Sequence, residues 1–171
     1  MVATPLLKIF TGTDAGTMNP AGDGDATNWN LMSVDSYDST GTAYQNNPIV
    51  VPSSGTSYSF ERWMRVRFDG TFNLVENVVV WKNDGTLSDE NLSINAGETS
   101  TGVTPTDSAS SIAVAAVPEV EGDAINITPE SPISTDGDFT DYLVAQLVVP
   151  STVTTPGDIG SQTLRFQYDE S

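Results

Sequence analysis

Apolar residues in this chain come in short runs separated by Gly, Pro, Ser and Thr, and no stretch sustains the repeat of an amphipathic helix. Leu6–Phe10 reads as a first strand, and Trp29, Leu31 and Val34 mark a second. Ile49–Val51 lies between Pro48 and Pro52, which confines it to a sheet edge or an extended link. Leu92 and Ile94 alternate in a short strand, as do Ile125 and Ile127 within Ala124–Thr128. Ile112–Val117 fits a strand or a helical turn, and its early closure by Pro118 favours strand over the helix its Ala content suggests. Tyr142–Val149 is almost continuously apolar, the pattern of a strand buried on both faces, and is interrupted by Gln146. Leu164, Phe166 and Tyr168 alternate in a final strand. Segments 13–27, 35–47, 96–111 and 153–160 read as loops. The pattern predicts an all-β fold: a single antiparallel β-sandwich domain over residues 1–171, jelly-roll- or immunoglobulin-like, with long Gly/Ser/Thr-rich loops.

The densest apolar stretch is 58–82, in which two runs rich in β-branched and aromatic residues flank Asp69-Gly70. A two-residue Asp-Gly loop is a hairpin signal, so the stretch reads as the central hairpin. In that register Tyr58, Phe60 and Met64 face Trp81, Val79 and Val75 on a core side. The other side sets Trp63 against Glu76, Arg65 against Leu74 and Arg67 against Phe72, with Val78 and Val80 nearby. This second side is too apolar for open solvent and too basic for an ordinary core. Either another segment covers it, pairing the arginines with carboxylates, or Trp63, Arg65, Arg67, Phe72 and Leu74 form a protein–protein interface.

Charge narrows the partners. Lys and Arg together number 6 against 23 Asp and Glu, giving a formal net charge of -17. Such a field repels phosphate backbones and anionic lipid, so nucleic acid and membrane surfaces are excluded as partners, and basic surfaces or divalent cations fit. MVATPLLKIF lacks a basic segment followed by a long apolar core, so no secretory signal is expected, and no apolar run is long enough to span a bilayer.

Candidate chemistry is sparse. The chain has neither His nor Cys, which removes the Ser-His-Asp triad, thiol nucleophiles and the usual zinc ligands; no enzyme activity is expected. The acidic turns Asp23-Gly24-Asp25 and Asp136-Gly137-Asp138, with Asp141 following, are candidate Ca²⁺ ligands, since close carboxylates in loops suit an oxygen-ligated cation. Neither continues into an EF-hand loop, and Asp and Gly also populate turns for backbone reasons. Trp29, Tyr37 and Tyr44 are candidates for a sugar-stacking platform, with a buried strand Trp as the alternative.

The basic-aromatic segment Arg62–Lys82, the Ser/Thr/Gly-rich loops and the closing strand TLRFQYDES (Thr163–Ser171) resemble small all-β virion structural proteins of tailed bacteriophages, of the head decoration or cement type. The resemblance implies a non-enzymatic protein, made in the host cytoplasm and located in the virion. It also implies the major capsid protein or other virion proteins as partners, and a homo-oligomer on the particle. A tail, neck or baseplate component is one alternative, and a Ca²⁺-dependent receptor- or carbohydrate-binding β-sandwich module is another. No site residue carries over from this resemblance.

Overall fold

The computed structural model describes residues 2–13, 15, 24–25, 29–36, 45–155 and 157–171. Its strands in chain order are β1 (Val2–Phe10), β2 (Gly24–Asp25), β3 (Thr56–Tyr58), β4 (Arg62–Thr71), β5 (Val75–Asp84) and β6 (Ser93–Thr99), followed by β7 (Ala115–Ala116), β8 (Ile125–Asn126), β9 (Asp138–Phe139), β10 (Tyr142–Pro150) and β11 (Thr163–Glu170). They form two antiparallel sheets. The larger runs β2-β1-β4-β10-β6-β7, with β3 beside β10 and β9 beside β4; the smaller runs β11-β5-β8.

The sheets meet in one apolar core. Ile9, Met64, Val66, Phe68, Leu143 and Ala145 from the larger sheet pack with Val75, Val78, Val80, Phe166 and Tyr168 from the smaller. Burying each larger aliphatic or aromatic side chain contributes about 1.5–3 kcal/mol, and this layer is what joins the sheets. The alternation expected for the last strand holds, since Leu164, Phe166 and Tyr168 all face it.

The predicted hairpin is not formed. Asp69 and Gly70 lie inside β4, opposite Thr4 and Ala3 of β1, and β4 and β5 belong to different sheets. Gly70 is required there because its φ is 108° and a Cβ would sit 2.8 Å from the Val2 carbonyl oxygen. The chain changes sheets instead between Thr71 and Val75, where the N–H groups of Asn73 and Leu74 donate to the Ser171 carbonyl. Two β-rich runs joined by a short link are equally the pattern of a sandwich corner.

The inward face of β5 also differs from expectation. Val79 against Gln167 and Glu76 against Asp169 leave an extra residue on β5, and Asn77 takes φ 52° within that bulge. The bulge resets the alternation, so Val75, Val78 and Val80 point inward rather than Val75, Val79 and Trp81. Trp29–Val34 is not a strand but an irregular segment with a bend at Ser33–Val34, tied by Phe60 N–H to the Met32 carbonyl and by Ser33 N–H to the Asn47 carbonyl. Ile49–Val51 likewise belongs to no strand.

Tyr142–Val149 is buried on both faces, as its composition predicts. Segment 100–114 crosses the outer face of the larger sheet. There Phe10, Ala15, Trp63, Tyr142 and Val144 form a second apolar cluster with Ile112 and Phe139 against it.

Candidate functional site

β9 and β10 are one strand broken at Thr140–Asp141, opposite Arg65 and Val66 of β4. Thr140 N–H donates to the Val66 carbonyl at 2.9 Å, and Val66 N–H donates to the Thr140 hydroxyl at 3.0 Å, a side-chain oxygen standing in for a ladder carbonyl. The break exposes the Thr140 carbonyl to Arg65 Nε, which donates to it at 2.5 Å. The guanidinium then lies 4.8 Å from the ring centres of both Phe139 and Tyr142. A cavity of about 690 Å³ lies elsewhere, at the end of β10; the one beside Arg65 is about 510 Å³ and is lined by Glu130, Asp138, Phe139 and Asp141. Arg65, Asp138 and Asp141, singled out separately in the sequence, thus share one concavity.

Its electrostatics are set by burial. Desolvation raises the Asp141 carboxyl above its ordinary value although Arg65 opposes the rise, and it raises Glu98 with Asp141 adding to the effect. Burial likewise depresses Arg65 and raises Tyr142. A carboxyl that holds its proton more tightly folded than unfolded destabilises the fold once ionised. Its unfavourable contribution therefore appears as pH rises from the unfolded value through the raised folded value and persists above it. Asp141→Asn is expected to raise the melting temperature at pH 7, with the difference disappearing near about pH 3, where both forms are neutral. A lower melting temperature at pH 7 would mean that attraction to Arg65 outweighs burial.

Asp136 and Asp138 are engaged with the backbone. Asp136 Oδ1 accepts the Gly70 N–H at 2.7 Å. Asp138 Oδ2 accepts the N–H groups of Ser134 and Thr135 at 2.9 and 2.8 Å. Among the described residues no group of three or more acids is placed to hold a metal ion. Asp23 and the Asp25 side chain, with Tyr37 and Tyr44, lie outside the described residues; Trp29 packs half-buried against the main core.

Of the proposed interface, Trp63 is fully buried in the second apolar cluster. Its indole N–H donates to Glu61 Oε2 at 2.9 Å, and its ring meets Tyr142 edge-on at 5.2 Å. Phe72 is buried in the main core beside Phe68, and Leu74 is half-buried at the sheet corner. Arg65 and Arg67 sit at the margin of the outer face, Arg67 held bidentately by Asp69 of its own strand at 2.7 and 2.5 Å. Intrachain cover thus accounts for the Trp63 end of that face.

The cations are drawn inward. Lys8 and Arg62 are buried, Arg65, Arg67 and Lys82 are half-buried, and Lys82 pairs with Glu119. Only Arg165 is exposed, lying 5.5 Å over the Trp81 ring. Most of the described acids are exposed, Glu61 and Asp89 being the buried ones. On the smaller sheet Glu76 and Asp169 are cross-strand partners, with Asp169 Oδ2 accepting from Asn77 Nδ2 at 2.7 Å and Glu121 hydrogen-bonded to Gln167 alongside. Like charges in cross-strand register destabilise a sheet.

A second concavity had only a faint sequence signal. Beyond the last core residues of β10, the cavity of about 690 Å³ is lined by Leu31, Ile49, Leu92, Leu147, Val149 and Ile159. Val153 and Ile159, apolar residues inside a stretch that reads as loop, are the signal that points to it. One wall is locked by buried Asp89, whose carboxylate accepts the N–H groups of Asn91, Thr154 and Thr155 at 2.9, 2.8 and 3.1 Å. Those bonds, that from Asn91 first, hold the Asp89 carboxyl far below its ordinary range. Its stabilising contribution is therefore fully present above the ordinary carboxylate range and is lost progressively as pH falls through that range into strong acid.

The fold and surface define an all-β, two-sheet protein with an acidic exterior. No family model matches the chain, and no curated protein or solved structure matches it. Among the described residues no helix is long and apolar enough to cross a membrane.

Proposed function

We propose that the chain is a non-enzymatic virion structural protein, a decoration or cement protein that binds the assembled head of a tailed bacteriophage through basic surfaces of the capsid subunits. The segregation of charge supports this reading: five of the six cations are buried or half-buried, Arg165 being the exposed one, while Glu76 and Asp169 are cross-strand partners on the smaller sheet. A basic partner would relieve that repulsion, and association would be steered by the field and weakened by salt. Glu76→Gln with Asp169→Asn is expected to leave the isolated protein as stable or slightly more so. The double variant should be released from particles at lower salt than the parent. Undiminished retention in rising salt would remove the smaller sheet from the interface.

The second reading is a ligand-binding β-sandwich module, favoured by the apolar cavity beyond β10. It requires binding in solution in the absence of any particle.

A further inference from the structure

The apolar cavity adjoins a smaller one of about 290 Å³, and the two share Leu31, Asp158 and Ile159. The smaller cavity is lined by Asn30 and Gln162 beside Trp29. Asn30 Nδ2 and Gln162 Oε1 are buried atoms without a hydrogen-bond partner among the described residues. One is a donor and the other an acceptor, and a buried polar group left unpaired destabilises the fold. Both are held by rigid surroundings. The Asn30 carbonyl accepts from Nε and Nη2 of buried Arg62 at 3.2 and 2.8 Å. The backbone at Ser161 packs against Gly85 so closely that a Cβ on Gly85 would lie 2.1 Å from the Ser161 carbonyl oxygen. Ser88 N–H donates to the Ile159 carbonyl at 3.0 Å, fixing the same loop.

We propose that these joined cavities bind an uncharged molecule with an aliphatic body and an amide-like head. The head would accept from Asn30 Nδ2 and donate to Gln162 Oε1, while the body lies along Leu31, Leu147, Val149 and Ile159. Apolar walls with a few placed polar groups, at a volume of this order, are the usual makeup of a small-molecule site. Neither cavity is lined by Lys or Arg, and both include Asp158, so a carboxylate or phosphate head finds no counter-charge. The site is independent of any particle-bound role.

The test is titration of the ¹⁵N-labelled full chain with octanamide and, separately, octanoate, followed by amide chemical shifts. Octanamide is expected to give saturable shifts at the Asn30 and Gln162 side-chain amides and along 147–159, with octanoate at least about tenfold weaker. Gln162→Met should weaken octanamide about tenfold and leave octanoate unchanged, the loss of one buried hydrogen bond. Equal binding of the two probes, shifts confined to other parts of the molecule, or undiminished octanamide binding by a folded Gln162→Met chain would overturn the assignment. Should Gln162→Met fail to fold, Asn30→Leu and the parent's preference for amide over carboxylate decide the matter in the same way.

Discussion

Trp63→Ala is expected to lower the free energy of unfolding by about 3–5 kcal/mol, the range for emptying a large buried aromatic site. The residue has no exposed surface, packs edge-on against Tyr142 at 5.2 Å and belongs to the cluster that fills the outer face of the larger sheet. A second effect accompanies the cavity. Glu61 is buried, its Oε1 has no partner among the described residues, and its Oε2 would lose the indole donor and keep, among those residues, the Thr106 N–H at 3.3 Å. Trp63→Phe separates the two contributions, retaining a ring but not the donor, and should cost about 1–3 kcal/mol. Urea denaturation of both variants measures this. A loss below about 1 kcal/mol for Trp63→Ala would mean that the outer face is not a packed layer.

Gln146→Leu should be nearly as damaging, although it replaces the one polar residue in an apolar strand with an apolar one. The Gln146 amide is buried between β10 and the segments that cross it. Its Nε2 donates to the Ser59 and Ser108 carbonyls at 2.9 and 2.7 Å, and its Oε1 accepts the Ser110 N–H at 3.2 Å. Leucine would strand those backbone groups, at about 1–3 kcal/mol each where they stay buried. The expected loss is about 3 kcal/mol or more, with increased proteolysis within 100–114 as that segment lifts from the sheet. A neutral Gln146→Leu would mean that water reaches these groups and that other contacts hold the segment.

Gln146 also illustrates what the sequence conveys. The strand around it was legible because a run of Leu, Val and Ala is buried on both faces, and the polar interruption marked the place where a covering loop is pinned. The pairing of β4 was not legible. Asp69-Gly70 carries a turn signal, yet Asp69 binds Arg67 and Gly70 admits the close approach of Val2, a contact far away in sequence. The bulge at Asn77 reversed the expected face of β5 for a similar reason, since a single residue in the left-handed region shifts the phase of everything after it.

The site shows the same division. Arg65, Asp138 and Asp141 were each visible by residue type, but only the break at Thr140 brings them to one cavity. Asp136 and Asp138 read as candidate cation ligands, and in the structure one oxygen of each accepts backbone N–H groups. Asn30 and Gln162 carried no signal at all. Amide side chains in loops are ordinary, and their significance arises only from burial without partners.

The proposed function makes this acidic β-sandwich a component of a phage head. Mass spectrometry of gradient-purified particles, with heads and tails separated, tests it most directly. The chain should appear in the head fraction in many copies per particle and leave it as salt is raised. Its absence from particles, with the folded protein recovered free in the same lysate, would contradict the account.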